Sequence, residues 1–180
     1  MTMTSHLSFL KRAQIGCVAG LVGGFAIFVS IFVIDLGLGA HGAFYKVVGF
    51  ATGLDGIEAT LFGMVSHMLT ASLIGTVFGL GSGLHKILDI HSIKKGALGG
   101  ISTGLAVFFV FFVPISTFLI VPLIQENRQI AEADALLSNM NLIMIGAIEM
   151  HVVYGMVMGA FFAIAVQVES KKMIQQARAA

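Results

Sequence analysis

Residues 93–124 read IKKGALGGISTGLAVFFVFFVPISTFLIVPLI, and after Lys95 no charged side chain follows until Glu126. An α-helix needs roughly 20 apolar residues to cross the hydrocarbon core of a bilayer, which is about 30 Å thick. The stretch exceeds this length and contains Pro114 and Pro122, which interrupt helical hydrogen bonding. We therefore predict a membrane-spanning helix over residues 93–124 that kinks near Pro114.

Three further apolar stretches are long enough to span a bilayer, and they cover residues 13–38, 58–84 and 141–167. The 180 residues are 57% hydrophobic and only 11% charged, with a mean hydropathy of +0.98. Soluble domains have about 25% charged residues. The sequence therefore predicts an all-α integral membrane protein, a single four-helix domain over residues 1–180, with the lipid bilayer of the cell membrane as its surroundings.

The basic residues indicate the direction of insertion, because loops rich in Lys and Arg stay in the cytoplasm. Eight of the ten flank the N-terminus, the middle loop and the C-terminal tail: Lys11, Arg12, Lys86, Lys94, Lys95, Lys171, Lys172 and Arg178. The other two loops hold only Lys46 and Arg128. We predict that both termini are cytoplasmic, with Asp35, His41 and Asp55 at a solvated outer edge.

The chain also shows an internal repeat. Gly16, Gly20 and Gly24 of the first span align with Gly96, Gly100 and Gly104 of the third. The second and fourth spans align through Gly63, His67, Ala71, Gly75 and Gly79 against Ala147, His151, Gly155, Gly159 and Ala163. We predict a duplicated two-helix repeat, with copies at about residues 13–84 and 93–168. Both copies insert the same way up, so the pseudo-twofold axis should run along the membrane normal.

Small residues four apart form a smooth stripe on each predicted helix, and such stripes let neighbouring helix backbones approach closely in lipid. The packing residues predicted on this basis are Gly16, Gly20, Gly24, Gly75, Gly79, Gly96, Gly100, Gly104, Gly155 and Gly159.

Three polar side chains within the predicted spans are the candidates for function. His67 and His151 continue the small-residue stripes, so we expect both to face protein, roughly 13–15 Å from the outer helix ends. Each imidazole could hydrogen-bond across the bundle, line a proton or substrate path, or bind a metal or haem. Glu149 lies about 200° around the helix from His151, so it should meet another helix, a second copy or another subunit.

A metal site is a weaker alternative. Met64 and Met68 share a helical face with His67, and Met144 lies near His151 in sequence. Thioether and imidazole ligands suit reduced copper, and two histidines on different helices suit axial haem ligation. The sequence itself requires no cofactor, and its lone Cys17 excludes an intrachain disulfide or a CxxC site.

No catalytic motif such as GxSxG, Walker A or HExxH occurs in the chain. A net charge of +1 provides no whole-protein field that would attract nucleic acid. The sequence favours a non-enzymatic structural or accessory subunit of a larger membrane assembly, partnered by further copies or other membrane subunits. The alternatives are a small oligomeric channel or transporter with His67, Glu149 and His151 on its path, or a copper or haem protein.

Overall fold

The computed structural model describes residues 7–38, 42–85, 88–90, 92–126 and 131–179. Every secondary-structure element in these ranges is a helix. Four are long and apolar enough to cross a membrane: α1 (Phe9–Leu38), α3 (Gly56–Leu84), α4 (Ile93–Glu126) and α6 (Met140–Ala179). Two short helices, α2 (Ala43–Phe50) and α5 (Ala131–Ser138), lie in the connections. The prediction of an all-α protein with four helices able to span a membrane is confirmed.

The backbone of α4 departs from α-helical geometry where the sequence predicted a kink. π-helical turns at Phe108–Phe112 and Ser116–Ile120 flank the short segment that contains Pro114. Proline has no N–H to donate to the preceding turn. A wider turn accommodates this gap, because the N–H of Val113 bonds to the carbonyl of Phe108.

The long helices pack in the order α3, α1, α6, α4. α1 packs along α3, α4 packs along α6, and α1 joins the two pairs by packing against α6. The main core lies at this central junction, where Met158 and Phe162 of α6 are fully buried and Ile15 and Ala19 of α1 are buried in the same cluster. Within the described residues α3 and α4 hardly approach each other, so they form the two outer helices.

Glycines bring the backbones of each pair into direct contact. A Cβ atom on Gly16 would overlap the carbonyl oxygen of Gly75, and one on Gly96 would overlap the carbonyl oxygen of Gly159. One on Gly100 would likewise overlap the carbonyl oxygen of Gly155. The obstructing atoms belong to a helix backbone, so the pairs can be this close only where side chains are absent or very small.

Two ion pairs join the helix ends that carry basic residues. The Arg12 side chain, which is only 6% exposed, donates from Nη2 to Asp89 Oδ1 at 2.8 Å and from Nη1 to Ser82 Oγ at 3.1 Å. Lys11 Nζ lies 3.5 Å from Glu169 Oε2. The start of α1, the connection after α3 and the last part of α6 therefore lie at one end of the bundle.

At the other end, α2 packs back against α3. Gly49 of α2 contacts Ala59, and the carbonyl of Tyr45 contacts Gly63. The Tyr45 ring reaches His67, with 5.7 Å between ring centroids. α5 adds a smaller cluster at this end, made by Val47, Ile124 and Leu136.

Candidate functional site: two histidines and an outward-facing glutamate

His67 lies between the two helices of the first pair. Its Nε2 is 3.3 Å from the carbonyl oxygen of Gly24 on α1. The Tyr45 ring of α2 covers it edge-on, and Tyr45 in turn contacts Phe28 of α1. Gly24 allows the close approach of Ala71, because a Cβ there would lie only 2.8 Å from the Cβ of Ala71, whereas at 3.9 Å from Nε2 it would be in ordinary contact with the imidazole. His67 is thus half-buried beside the third glycine of the α1 stripe.

His151 lies at the third glycine of the second pair, since a Cβ on Gly104 would overlap its carbonyl oxygen. Its Nδ1 is 2.7 Å from the carbonyl oxygen of Ala147, one turn earlier in the same helix. The rings of Phe108 and Phe112 lie 5.4 and 5.2 Å from the imidazole. The hydrogen bond of His151 is therefore local, whereas that of His67 crosses between helices. Among the hydrogen bonds of the described residues, none joins the two imidazoles.

Glu149 points away from both histidines. Its side chain is exposed on the outer face of α6, among Ile145, Ile148 and Met156, which are exposed as well. The start of α6 at Met140 is about 14 Å away along the helix, so the carboxyl group belongs to the apolar part of the span. Val65 occupies the aligned position of α3 and is also outward-facing, at 58% exposed. At this outward-facing position, the second pair therefore has a glutamate and the first pair has a valine.

The methionines proposed as copper ligands are dispersed. Met64 packs against the main core, and the Sδ of Met68 would lie 3.4 Å from a Cβ on Gly24. Met144 lines a small cavity of about 130 Å³ together with Phe112 and Ile143. No group of three or more His, Cys, Asp or Glu side chains that could hold a metal ion occurs among the described residues.

Two buried charges were not anticipated from the sequence. Asp35, expected at a solvated edge, is only 6% exposed, so that expectation is wrong for this residue. It follows Ile27 and Ile31 at helical spacing, and these two residues are buried on the same face of α1. Arg12 similarly precedes Gly16 by four residues. In both cases the four-residue spacing extends a buried face of α1 to the charged residue. The spacing therefore indicated burial, although the charge of the side chain suggested exposure. His41 lies outside the described residues.

Neither of the two cavities found has His67, His151 or Glu149 in its wall. The larger one, of about 870 Å³, lies between α3 and α4. The protomer therefore brings His67 and His151 to matching levels of their helix pairs, but it does not bring Glu149 to either of them.

Comparisons of the chain with protein-family models, with curated proteins and with solved structures find no significant match.

Proposed function

We propose that this protein is a structural or accessory subunit of a larger membrane assembly, and that the outer face of α6 around Glu149 is its contact surface. The observation that carries the proposal is the exposure of this carboxyl group in an otherwise apolar stripe. The proposal covers association with further copies of the chain or with other membrane subunits.

The physical reason is the cost of leaving a carboxyl group in lipid. An Asp or Lys at the centre of a span costs about 2.5–3.5 kcal/mol on insertion scales, and ionisable residues in spans almost always face protein or a water-filled cavity. Glu149 faces neither within its own protomer. A neighbouring chain that offers a hydrogen-bond donor would remove this cost. Gly146, whose Cβ position has no atom within 4 Å, would let that chain come close to α6.

The proposal predicts that Glu149→Val dissociates the assembly. Valine is the residue at the aligned position of α3, and it favours insertion, so the single chain should still fold. The full chain and its variants would be purified in a mild detergent and weighed by native mass spectrometry. The wild type should exceed the 19.0 kDa of one chain, whereas Glu149→Val should approach it. Val65→Ala, on the outer face of α3, is the matched control and should leave the mass unchanged.

Crosslinking identifies the partner. In a Cys17→Ser background, a cysteine replacing Ile145 or Met156 should form a disulfide between copies if the partner is a second copy. If another subunit occupies the face, the same cysteines should crosslink to that subunit. A wild-type protein that stays a single chain, with Glu149→Val indistinguishable from it, would show that the proposal is wrong.

The channel or transporter alternative would have to use Glu149 without the two histidines. A path between copies could run along the outer face of α6, whereas His67 and His151 are half-buried against Tyr45, Phe108 and Phe112 of the same protomer. The copper and haem alternatives have less support, since the candidate ligands are dispersed, the glycine contacts hold the two helices of each pair close together, and neither histidine lines the α3–α4 cavity.

We further propose that the two helix pairs are copies of one ancestral pair and that both termini are cytoplasmic. The corresponding glycine contacts of the pairs support the first point, and the collection of basic residues at one end supports the second. In a Cys17→Ser background, Thr52→Cys should react with an impermeant thiol reagent in intact cells, and Ala179→Cys should not. The reverse pattern would overturn the orientation.

A further inference from the structure

The α3–α4 groove is the cavity of about 870 Å³ between the two outer helices. Its wall includes Phe78 and Ser82 of α3, and Lys95, Gly99, Thr103 and Phe111 of α4. Phe78 reaches across to the opposite helix, since a Cβ on Gly99 would lie 3.7 Å from its ring. The remainder of the groove opens outward between the helices.

The groove corresponds to an interface that is closed elsewhere in the same molecule. Ile15, Ala19, Ile27 and Ile31 of α1 are all buried in the main core beside α6. The residues of α4 at the aligned positions are Lys95, Gly99, Val107 and Phe111, and all four line the groove. The same helix face that meets protein in α1 thus meets open space in α4, and no described segment of the chain fills it.

The two ends of the groove differ in chemistry. Lys94 and Lys95 lie in its wall at the basic end of the bundle, and neither forms an ion pair within the described residues. No Asp or Glu is among the lining residues, and Asp89, which precedes α4, is paired with Arg12 at 2.8 Å. Deeper in the membrane the wall is apolar, with Val77 at 68% and Phe111 at 58% exposed.

We propose that the α3–α4 groove binds an anionic glycerophospholipid from the leaflet at the basic end of the bundle. The phosphate lies between the ammonium groups of Lys94 and Lys95, and an acyl chain follows the apolar wall past Val77, Val107 and Phe111. Charge complementarity selects the headgroup, because two uncompensated cations at the membrane surface attract anionic lipid. The apolar wall selects a ligand with a hydrocarbon tail, which a free phosphate ion lacks. This proposal does not depend on the role of Glu149.

The test measures lipid binding to the full chain in detergent by native mass spectrometry, with phosphatidylglycerol and phosphatidylcholine as probes. Wild type should retain phosphatidylglycerol preferentially. The double variant Lys94→Gln/Lys95→Gln should bind it about thirtyfold more weakly, since each lysine near the surface contributes about a factor of five. The matched control is Lys171→Gln/Lys172→Gln, which removes the same charge from the end of α6 and should leave the preference intact.

A second pair of variants tests the tail. Ala106→Phe places a ring in the groove and should weaken binding of both lipids, whereas Thr117→Phe, on an exposed position outside the groove, should not. If the two lysine double variants lose the same amount of phosphatidylglycerol binding, the preference comes from general surface charge and the proposal is wrong. If the wild type contains more than one copy and Ala106→Phe contains one, a second copy is the occupant of the groove, and the proposal is wrong.

Discussion

Within each of the two helix pairs, the two backbones are in contact at aligned glycines. The two histidines nevertheless have different surroundings. In the first pair, His67 reaches across to the Gly24 carbonyl and is covered by Tyr45 of α2. In the second pair, His151 bonds within its own helix and is covered by the phenylalanines of α4. The comparison shows that similar glycine contacts do not give the two histidines the same neighbours, because a separate helix, α2, covers His67, whereas the partner helix α4 covers His151.

The π-helical turn of α4 explains part of this difference. Phe32 of α1, which aligns with Phe112, is 55% exposed, whereas Phe112 contacts the His151 ring. A π-helical turn holds an additional residue, so it changes the direction of the side chains that follow. Phe112 is the last residue of such a turn and lies two residues before Pro114. The proline of the second pair therefore allows a phenylalanine to cover the face that α2 covers in the first.

The largest loss of stability is expected from substitutions at the glycine contacts, which both pairs have. Gly75→Leu and Gly159→Leu each force a side chain against the backbone of the neighbouring helix. Overpacking typically costs about 1–3 kcal/mol, and we expect at least the upper end because backbone atoms cannot turn aside. Both variants should lose folded protein to a similar degree, measured as detergent-soluble monodisperse material and by SDS-induced unfolding.

Two glycines of the same helices provide the controls for this prediction. A Cβ on Gly81 of α3 or Gly146 of α6 would meet no atom within 4 Å. The single chain should therefore unfold in SDS like wild type in both Gly81→Leu and Gly146→Leu, and Gly146→Leu should in addition weaken the contact proposed at the Glu149 face. Losses confined to one pair would break the comparison and show that only that pair depends on glycine contact.

A smaller difference in stability is expected between substitutions of the two tyrosines of the chain, one of which lies in each half. The Tyr154 hydroxyl is buried and donates to the Ala71 carbonyl at 2.8 Å, which ties α6 to α3. Tyr154→Phe should lower the free energy of unfolding by about 1 kcal/mol. The Tyr45 hydroxyl is buried without a hydrogen-bond partner among the described residues, so Tyr45→Phe should be neutral or stabilising. A greater loss in Tyr45→Phe than in Tyr154→Phe, measured by SDS unfolding, would contradict this assignment.

The smallest loss of stability is expected from substitutions of the two histidines, and it compares their hydrogen bonds directly. His67→Leu removes a hydrogen bond between helices, which is worth about 0.6 kcal/mol on average in membranes. His151→Leu removes a bond within one helix and keeps apolar contact with Phe108 and Phe112, so it should cost less. Gln variants at both positions, able to replace the lost hydrogen bond, serve as controls. If His151→Leu is the more destabilising of the two, the ring contacts contribute more than the hydrogen bond.

The sequence predicted the four long helices well because hydropathy and length are local properties. The ends were less accurate, since α6 continues to Ala179 rather than ending at about residue 167. Glu169, Lys171 and Lys172 favour helix, and a helix has no reason to stop where the apolar residues do. The four-residue spacing also indicated that His67 and His151 face protein. It could not identify Tyr45 or Phe112 as their neighbours, because those contacts join distant segments.

The sequence by itself determined that the chain forms long apolar helices, each with one smooth face of small residues and, on α6, a carboxyl group on a different face. Only the tertiary structure decided which faces meet. It placed α1 and α6 at the centre, left the aligned face of α4 open to the α3–α4 groove, and turned Glu149 outward. The physical reason is that spacing along one helix defines its faces, whereas the choice of partner depends on how side chains from separate helices fit together.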